Sequence, residues 1–340
     1  MRKGEVPRQI GAIGCGILTL MATAFGVCAG EHRASAQSPP QRTVAITIDD
    51  LPGAIPGTDK SLGDLKELQR INRAIPAILR HHHVPAIGFV NEFKLQVAEE
   101  RDARVALLQM WLDAGLELGN HTYAHANFFK TPLEQFEDET IRGEVVTRAL
   151  LSAAGRREAF FRHPFLSTGP TAEAKAAFEA FLRQRGYRIA PVTVDNSDWM
   201  FNDALAGAVE KHDIQLAART GEAYLSYLDA VFDYFEGVSR KLFGREIAQI
   251  LLLHDSALNA EYLDALLTKL EQRGYTFVSL DTALAGPAYQ TQDLYVGPEG
   301  FSWLTRWKLA FGQEADYQND PDPPKWVIQM SQEIRTAHSR

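Results

Sequence analysis

From Thr43 to about Leu284 the chain alternates short apolar runs with longer amphipathic stretches, and this alternation restricts it to an α/β fold with a parallel sheet. The apolar runs predict strands over 43–48, 86–90, 116–119, 159–161, 188–194, 248–253 and 276–280. Apolar residues at three-to-four spacing predict helices over 62–80, 104–114, 133–153, 172–185 and 260–273. Seven strands separated by helices imply a barrel-like or doubly wound body. The segment 204–245 is too long for a simple crossover, and Tyr224, Tyr227, Phe232, Tyr234 and Phe235 recur within it at mostly helical spacing. It reads as an inserted helix whose aromatics pack in the core. After Asp281 the pattern stops, and 286–340, with Trp303, Trp307 and Trp326, reads as an irregular extension packed on the barrel.

The N-terminus has a different character. Arg2, Lys3 and Arg8 precede an apolar, small-residue stretch from Ile10 to Gly30, and Ala34-Ser35-Ala36 follows as an Ala-x-Ala cleavage site. Residues 1–36 read as a secretory signal peptide and 37–42 as a linker, so the expected destination is the periplasm or the exterior; the alternative is an uncleaved membrane anchor. Both cysteines, Cys15 and Cys28, fall within this leader, which leaves the mature chain without a disulfide or a thiolate metal site. With 35 Lys+Arg against 43 Asp+Glu, the chain lacks the positive charge that phosphate-backbone binding requires, so nucleic acid is excluded as a partner. No protein partner is implied.

Unusual polar residues fall at the ends of the expected strands. Asp49 and Asp50 end the first, Asn120 and His121 the third, Arg162 the fourth, Asp195 the fifth and His254 the sixth. Active sites of parallel α/β folds form at the carboxyl ends of strands, so these groups converge on one mouth. His121 and His125 lie four positions apart, and on one helical turn they would offer nitrogens to one divalent cation. The Asp49-Asp50 pair offers a carboxylate as third ligand, and two histidines with one carboxylate leave positions open for water or substrate. One aspartate could hold the metal while the other accepts a proton, provided that the chain turns at the strand end so both face the mouth.

In order and spacing, Thr47-Ile48-Asp49-Asp50, His121-x-x-x-His125, Arg162-His163-Pro164-Phe165, Asp195-Asn196-Ser197-Asp198-Trp199 and Leu252-Leu253-His254 resemble the five motifs of the polysaccharide deacetylase family, the NodB-homology or carbohydrate esterase family four domain. The resemblance implies a distorted (β/α) barrel of seven or eight strands over 43–285, and metal-dependent removal of N-acetyl or O-acetyl groups from an acetylated glycan such as chitooligosaccharide, peptidoglycan or poly-N-acetylglucosamine. It makes Asp50, His121 and His125 the metal ligands, Asp49 the general base and His254 the general acid. Arg162 would orient Asp49 and favour its ionised form, and Asp195 would pair with His254 and favour its protonated form. Trp199 and Leu252 would line the pocket for the acetyl methyl, and the Phe165 backbone N–H would stabilise the oxyanion. Zinc is the expected cation, with Co, Ni or Mn also compatible with the ligand set.

The chain departs from the family pattern where Leu166 follows Phe165, since the third motif usually ends in Tyr followed by Gly, and where Leu51-Pro52-Gly53 replaces the usual Gly-Pro. His81-His82-His83 reads as a solvated helix end, His163 as facing away from Arg162, and Asp198 as a loop support secondary to Asp195. Two other readings are a related barrel hydrolase of a small non-peptide amide and a catalytically silent glycan-binding protein.

Overall fold

The computed structural model describes residues 42–58, 61–298 and 300–338; the expected leader lies outside them. Residues 41–340 form one compact unit. Among the described residues eight strands make a single sheet: β1 (Arg42–Leu51), β2 (Ile87–Val90), β3 (Glu117–Asn120), β4 (Phe160–Phe161), β5 (Arg188–Ile189), β6 (Val194–Asp195), β7 (Gln249–His254) and β8 (Tyr275–Phe277). Their order is β5-β4-β3-β2-β1-β7-β6, with β8 beside the start of β1. Every pairing is parallel. From Val44 to Leu51 β1 is buried throughout, as a central strand covered on both faces must be.

The two edge strands, β5 and β6, are joined by only Ala190–Thr193. A link this short reaches at most about 3.6 Å per residue, so the edges must approach each other and the sheet must curl. The link itself bonds to both walls: Ala190 N donates to Phe161 O at 2.8 Å and Thr193 N to Ile250 O at 3.0 Å. Pro191, without an N–H, breaks what the sequence predicts as one strand over 188–194 into these two short ones. The result is the distorted barrel that the motif resemblance implies.

The helices are α1 (Leu65–His81), α2 (Arg101–Asp113), α3 (Leu133–Arg142), α4 (Val145–Ala153), α5 (Ala172–Gln184), α6 (Asp198–Glu210), α7 (Ile214–Phe243), α8 (Ala257–Gln272), α9 (Leu280–Leu284), α10 (Trp303–Trp307) and α11 (Lys325–His338). The single helix expected over 133–153 is two, broken at Gly143, whose Cα packs so closely on the Thr122 backbone that a Cβ would lie 2.6 Å from the Thr122 carbonyl carbon. The insertion is also two helices, α6 and α7. Tyr224, Tyr227, Phe232 and Phe235 of α7 are buried in the main core, as expected. The extension is more ordered than its sequence suggests, since α11 lies along α6. There Asp203 accepts from Gly57 N at 2.7 Å, Ser331 Oγ at 2.7 Å and Arg335 Nε at 2.8 Å. Among the described residues, no helix is long and apolar enough to cross a membrane.

Candidate active site

At the carboxyl ends of the strands lies a cavity of about 410 Å³ whose lining includes Asp49, Asp50, His121, His125, Phe165, Asp195, Trp199, Leu252 and His254. Of the groups expected at the mouth from sequence, Arg162 and Asn120 are absent from the lining: Arg162 stands directly behind Asp49, and Asn120 turns away to donate to the Thr140 carbonyl at 2.9 Å and the Tyr187 hydroxyl at 3.1 Å.

Asp49 and Asp50 are neighbours on a strand, where side chains ordinarily alternate between faces. Here the β1–β2 register slips between Ile48 and Leu51, and Asp50 takes a φ of 73°. This bulge turns the Asp50 carboxylate to the same mouth as Asp49. Lys94, buried just beyond β2, pins the turn: its Nζ donates to the Asp50 and Gly53 carbonyls, both at 3.0 Å, and lies 3.7 Å from Asp50 Oδ1. Sequence reasoning missed Lys94. It lies four residues past the end of β2, beyond the one or two positions at which the strand-end rule singled out the other groups.

The segment from His121 to His125 is a loop, which corrects the expectation that the two imidazoles share a helical turn. Thr122 and His125 have φ of 63° and 53°. Local side chains compete successfully with helix formation: Asn120 Oδ1 accepts from Thr122 N at 2.8 Å and Thr122 Oγ1 from Ala126 N at 3.1 Å. Glu139 of α3 fastens the loop from outside, its carbonyl accepting from Tyr123 N at 2.8 Å and its carboxylate from Ala124 N at 2.7 Å. The rings nevertheless converge, with centroids 5.0 Å apart.

The donor atoms fit a cation. His121 Nδ1 lies 2.8 Å from the Arg162 carbonyl, which can only accept, so Nδ1 carries the proton and Nε2 presents its lone pair. Asp50 Oδ1 is 3.8 Å from His121 Nε2 and 3.5 Å from His125 Nε2, and it is buried without a hydrogen-bond partner. Ligands about 2.0–2.2 Å from one tetrahedral ion stand about 3.3–3.6 Å apart, close to these spacings. Burial, then His125, holds the His121 pKa well below its ordinary value, leaving the neutral form a metal needs. For Asp50 burial opposes ionisation, but Lys94, followed by His125 and His254, overcomes it and holds the carboxyl far below the usual range.

Asp49 Oδ2 lies 3.7 Å from His121 Nε2 and 3.9 Å from Arg162 Nη1. Arg162 is fully buried, its Nη2 donating to Thr47 Oγ1 at 2.7 Å. Burial raises the Asp49 pKa to about 6, against the opposing pull of Arg162 and His254. His254 is the direct rung partner of Asp49 across β1 and β7.

The partner of His254 is Asp198, not Asp195. Asp198 Oδ1 is 2.6 Å from His254 Nδ1, and Oδ2 accepts from His254 N at 2.8 Å and Asn259 Nδ2 at 2.6 Å. Asp195 pairs in register with Leu252, two residues short of His254, or roughly 6.6 Å down the strand. It accepts instead from Ser197 N at 3.1 Å. The left-handed Ser197, φ 50°, swings the chain back so that the first residue of α6 meets the imidazole. The insertion supports this pair, since Tyr224 of α7 donates to Asn259 Oδ1 at 3.0 Å. Burial would depress the His254 pKa; Asp198, by charge and hydrogen bond, with Asp50 and Asp49 behind it, raises it to about 10.

Phe165 and Leu166 form a turn with successive φ of 56° and 52°, a conformation that costs a non-glycine residue about 1–2 kcal/mol. The Phe165 ring stands 4.4 Å from that of His125. Trp199 carries the Arg335 guanidinium 4.3 Å over its ring, so the extension supplies one wall of the cavity. His163, as expected, faces away, buried among Phe128, Phe136, Phe161 and Phe178. His82 bridges Glu271 and Asp264, each at 3.0 Å.

Residues 36–184, a little under half of the chain, match the family model described as polysaccharide deacetylase. The matched segment holds Asp49, Asp50, His121, His125, Arg162 and Phe165, whereas Asp198 and His254 lie beyond it. A search of curated proteins finds no match. Among solved structures the chain is similar to a CE4 family pseudoenzyme from Bacillus anthracis, at 20% identity, with 73% of this chain and 66% of that one covered and a TM-score of 0.46. It is similar to the peptidoglycan deacetylase PdaC from Bacillus subtilis, at 17% identity, 73% and 92% coverage and a TM-score of 0.46. A family 4 carbohydrate esterase from Streptomyces lividans is 21% identical, with 72% and 97% covered and a TM-score of 0.43.

If Asp50, His121 and His125 share a cation, His121→Ala should lose bound metal and activity together. Metal analysis of the purified variant, beside its turnover, checks this; a variant that keeps both refutes the ligand set.

Proposed function

We propose that the chain is an exported hydrolase that depends on a divalent metal and removes acetyl groups from the nitrogen, or oxygen, of an acetylated glycan. The observation that carries the reading is the arrangement around Asp50, His121 and His125: the Asp49 carboxylate, with a pKa of about 6, faces His254, with a pKa of about 10, across one rung of the sheet. Export rests on the N-terminal sequence alone.

Asp50, His121 and His125 would hold a divalent cation, with zinc the natural choice for that set, and such a cation would supply Lewis acidity, lowering the pKa of a water to about 7 and polarising the acyl carbonyl. The protein's own groups do the rest. Asp49, kept ionised at neutral pH by Arg162 behind it, takes the proton from the attacking water. The Phe165 N–H donates to the oxyanion as the carbonyl becomes tetrahedral. With Nδ1 committed to Asp198, His254 has Nε2 left to protonate the departing amine nitrogen as its bond to the acyl carbon breaks, giving acetate and the free amine. Trp199 and Leu252 wall the space for the methyl group and keep water from it. A silent binding protein would have no use for this combination of residues, which supports the hydrolase reading over it.

The direct test is acetate release by the protein from residue 37 onward, over a panel of acetylated chitooligosaccharide, peptidoglycan and poly-N-acetylglucosamine, with chelator and metal add-back. Release that stops on chelation and returns with Zn²⁺ is expected. Release indifferent to chelation, or hydrolysis of small amides only, contradicts the reading. The acid's assignment has its own signature. His254 must carry a proton to act, so activity falls as pH rises through its pKa, and Asp198 is what holds that pKa up. Asp198→Asn should therefore move the alkaline limb of kcat toward lower pH; an unmoved limb excludes His254–Asp198 as the acid.

A further inference from the structure

The C-terminal extension lies outside the matched family segment, yet it meets the site at the Phe165–Leu166 turn. Two successive left-handed residues with side chains need contacts from elsewhere to persist, and two of these come from the extension. Arg306 of α10 is fully buried, and its Nη2 donates to the Leu166 carbonyl. Its Nη1 reaches Thr168 Oγ1 at 3.3 Å and its Nε the Phe301 carbonyl at 3.0 Å. Asp293, 3.4 Å away, answers its charge and is held in turn by Lys175 of α5 at 2.7 Å. The Arg306 guanidinium carbon lies 4.0 Å over the Trp303 ring. Gly300 supplies the second contact, its backbone pressed so closely on the Phe165 carbonyl oxygen that any Cβ at position 300 would overlap it. The extension is itself tied to the sheet, with Trp303 N donating to Val192 O and Ser302 Oγ to Thr193 O, each at 2.7 Å.

We propose that Arg306 is a positioning residue: with Gly300 it clamps the Phe165–Leu166 turn so that the Phe165 N–H faces the reacting carbonyl. The clamp does at Leu166 what a glycine would do by its own backbone freedom. The proposal rests on the hydrolase reading above for its kinetic consequence, but not for its structural one.

The experiment compares wild type, Arg306→Met, Gly300→Ala and the double variant Arg306→Met/Leu166→Gly for kcat, KM, bound metal and amide exchange across residues 164–168. Each single variant should lower kcat by about 10- to 100-fold, short of the 10²–10³ for outright loss of an oxyanion donor, with KM and bound metal little changed. The Leu166 and Ser167 amides, which close the turn on His163 O and Pro164 O at 3.1 Å, should exchange faster while those of β1 do not. Leu166→Gly should recover most of the lost kcat, since glycine adopts the left-handed turn without strain. A folded Arg306→Met enzyme with wild-type kcat, or a loss that Leu166→Gly fails to recover, overturns the clamp. Should Arg306→Met not fold, Gly300→Ala decides by the same kinetic and exchange readouts with Arg306 intact. Should wild type release no acetate from any substrate, the functional reading falls and exchange alone decides, unchanged rates at Leu166 and Ser167 overturning the clamp.

Discussion

The bulge at the end of β1 is the constraint on which the site depends. An unbroken strand would send Asp50 to the opposite face from Asp49, and the cluster of two carboxylates and two imidazoles would not exist. The φ of 73° at Asp50 is unfavourable for an aspartate on its own, and Lys94 holds it by gripping the carbonyls of Asp50 and Gly53 together. The same ammonium offsets the Asp50 charge and favours its ionised form. Left-handed residues recur at Thr122, His125, Phe165, Leu166 and Ser197, all within or next to the cavity wall. Each turns a side chain or a backbone group that a regular strand or helix would have aimed elsewhere.

The second consequence of this geometry is electrostatic. Asp49 and His254 share one rung of the sheet, yet their environments push their proton affinities apart in the direction that base and acid chemistry requires. Burial raises Asp49 only to about 6 because Arg162 stands behind it, while Asp198 lifts His254 to about 10 despite burial. A carboxylate that is mostly ionised and an imidazole that is mostly protonated at neutral pH can therefore coexist side by side, each favouring the other's charged form.

Much of this was legible in the sequence, for a physical reason: parallel strands point their carboxyl ends at one mouth, so polar residues there converge whatever their separation along the chain. Asp49, Asp50, His121, His125 and His254 follow from that rule together with the motif resemblance. What could not be read depended on register and on local backbone. Asp195 ends its strand, but β6 is so short and low against β7 that the turn at Ser197 delivers Asp198 to the histidine instead. His121 and His125 share helical spacing without a helix, because Asn120 and Thr122 capture the backbone N–H groups. Arg306 and Arg335 lie in a tail with no periodic pattern, where sequence offers no clue to which side chains reach back over a hundred residues to the site.

The central claim is that Asp50, His121 and His125 together hold one cation. A crystal grown with Zn²⁺ and measured on both sides of the zinc absorption edge tests it most directly. The account predicts a single anomalous peak bonded to an Asp50 carboxylate oxygen and to Nε2 of both histidines, at about 2.0–2.2 Å. A peak elsewhere with this cluster empty, or an ion that Asp50 does not touch, would contradict it.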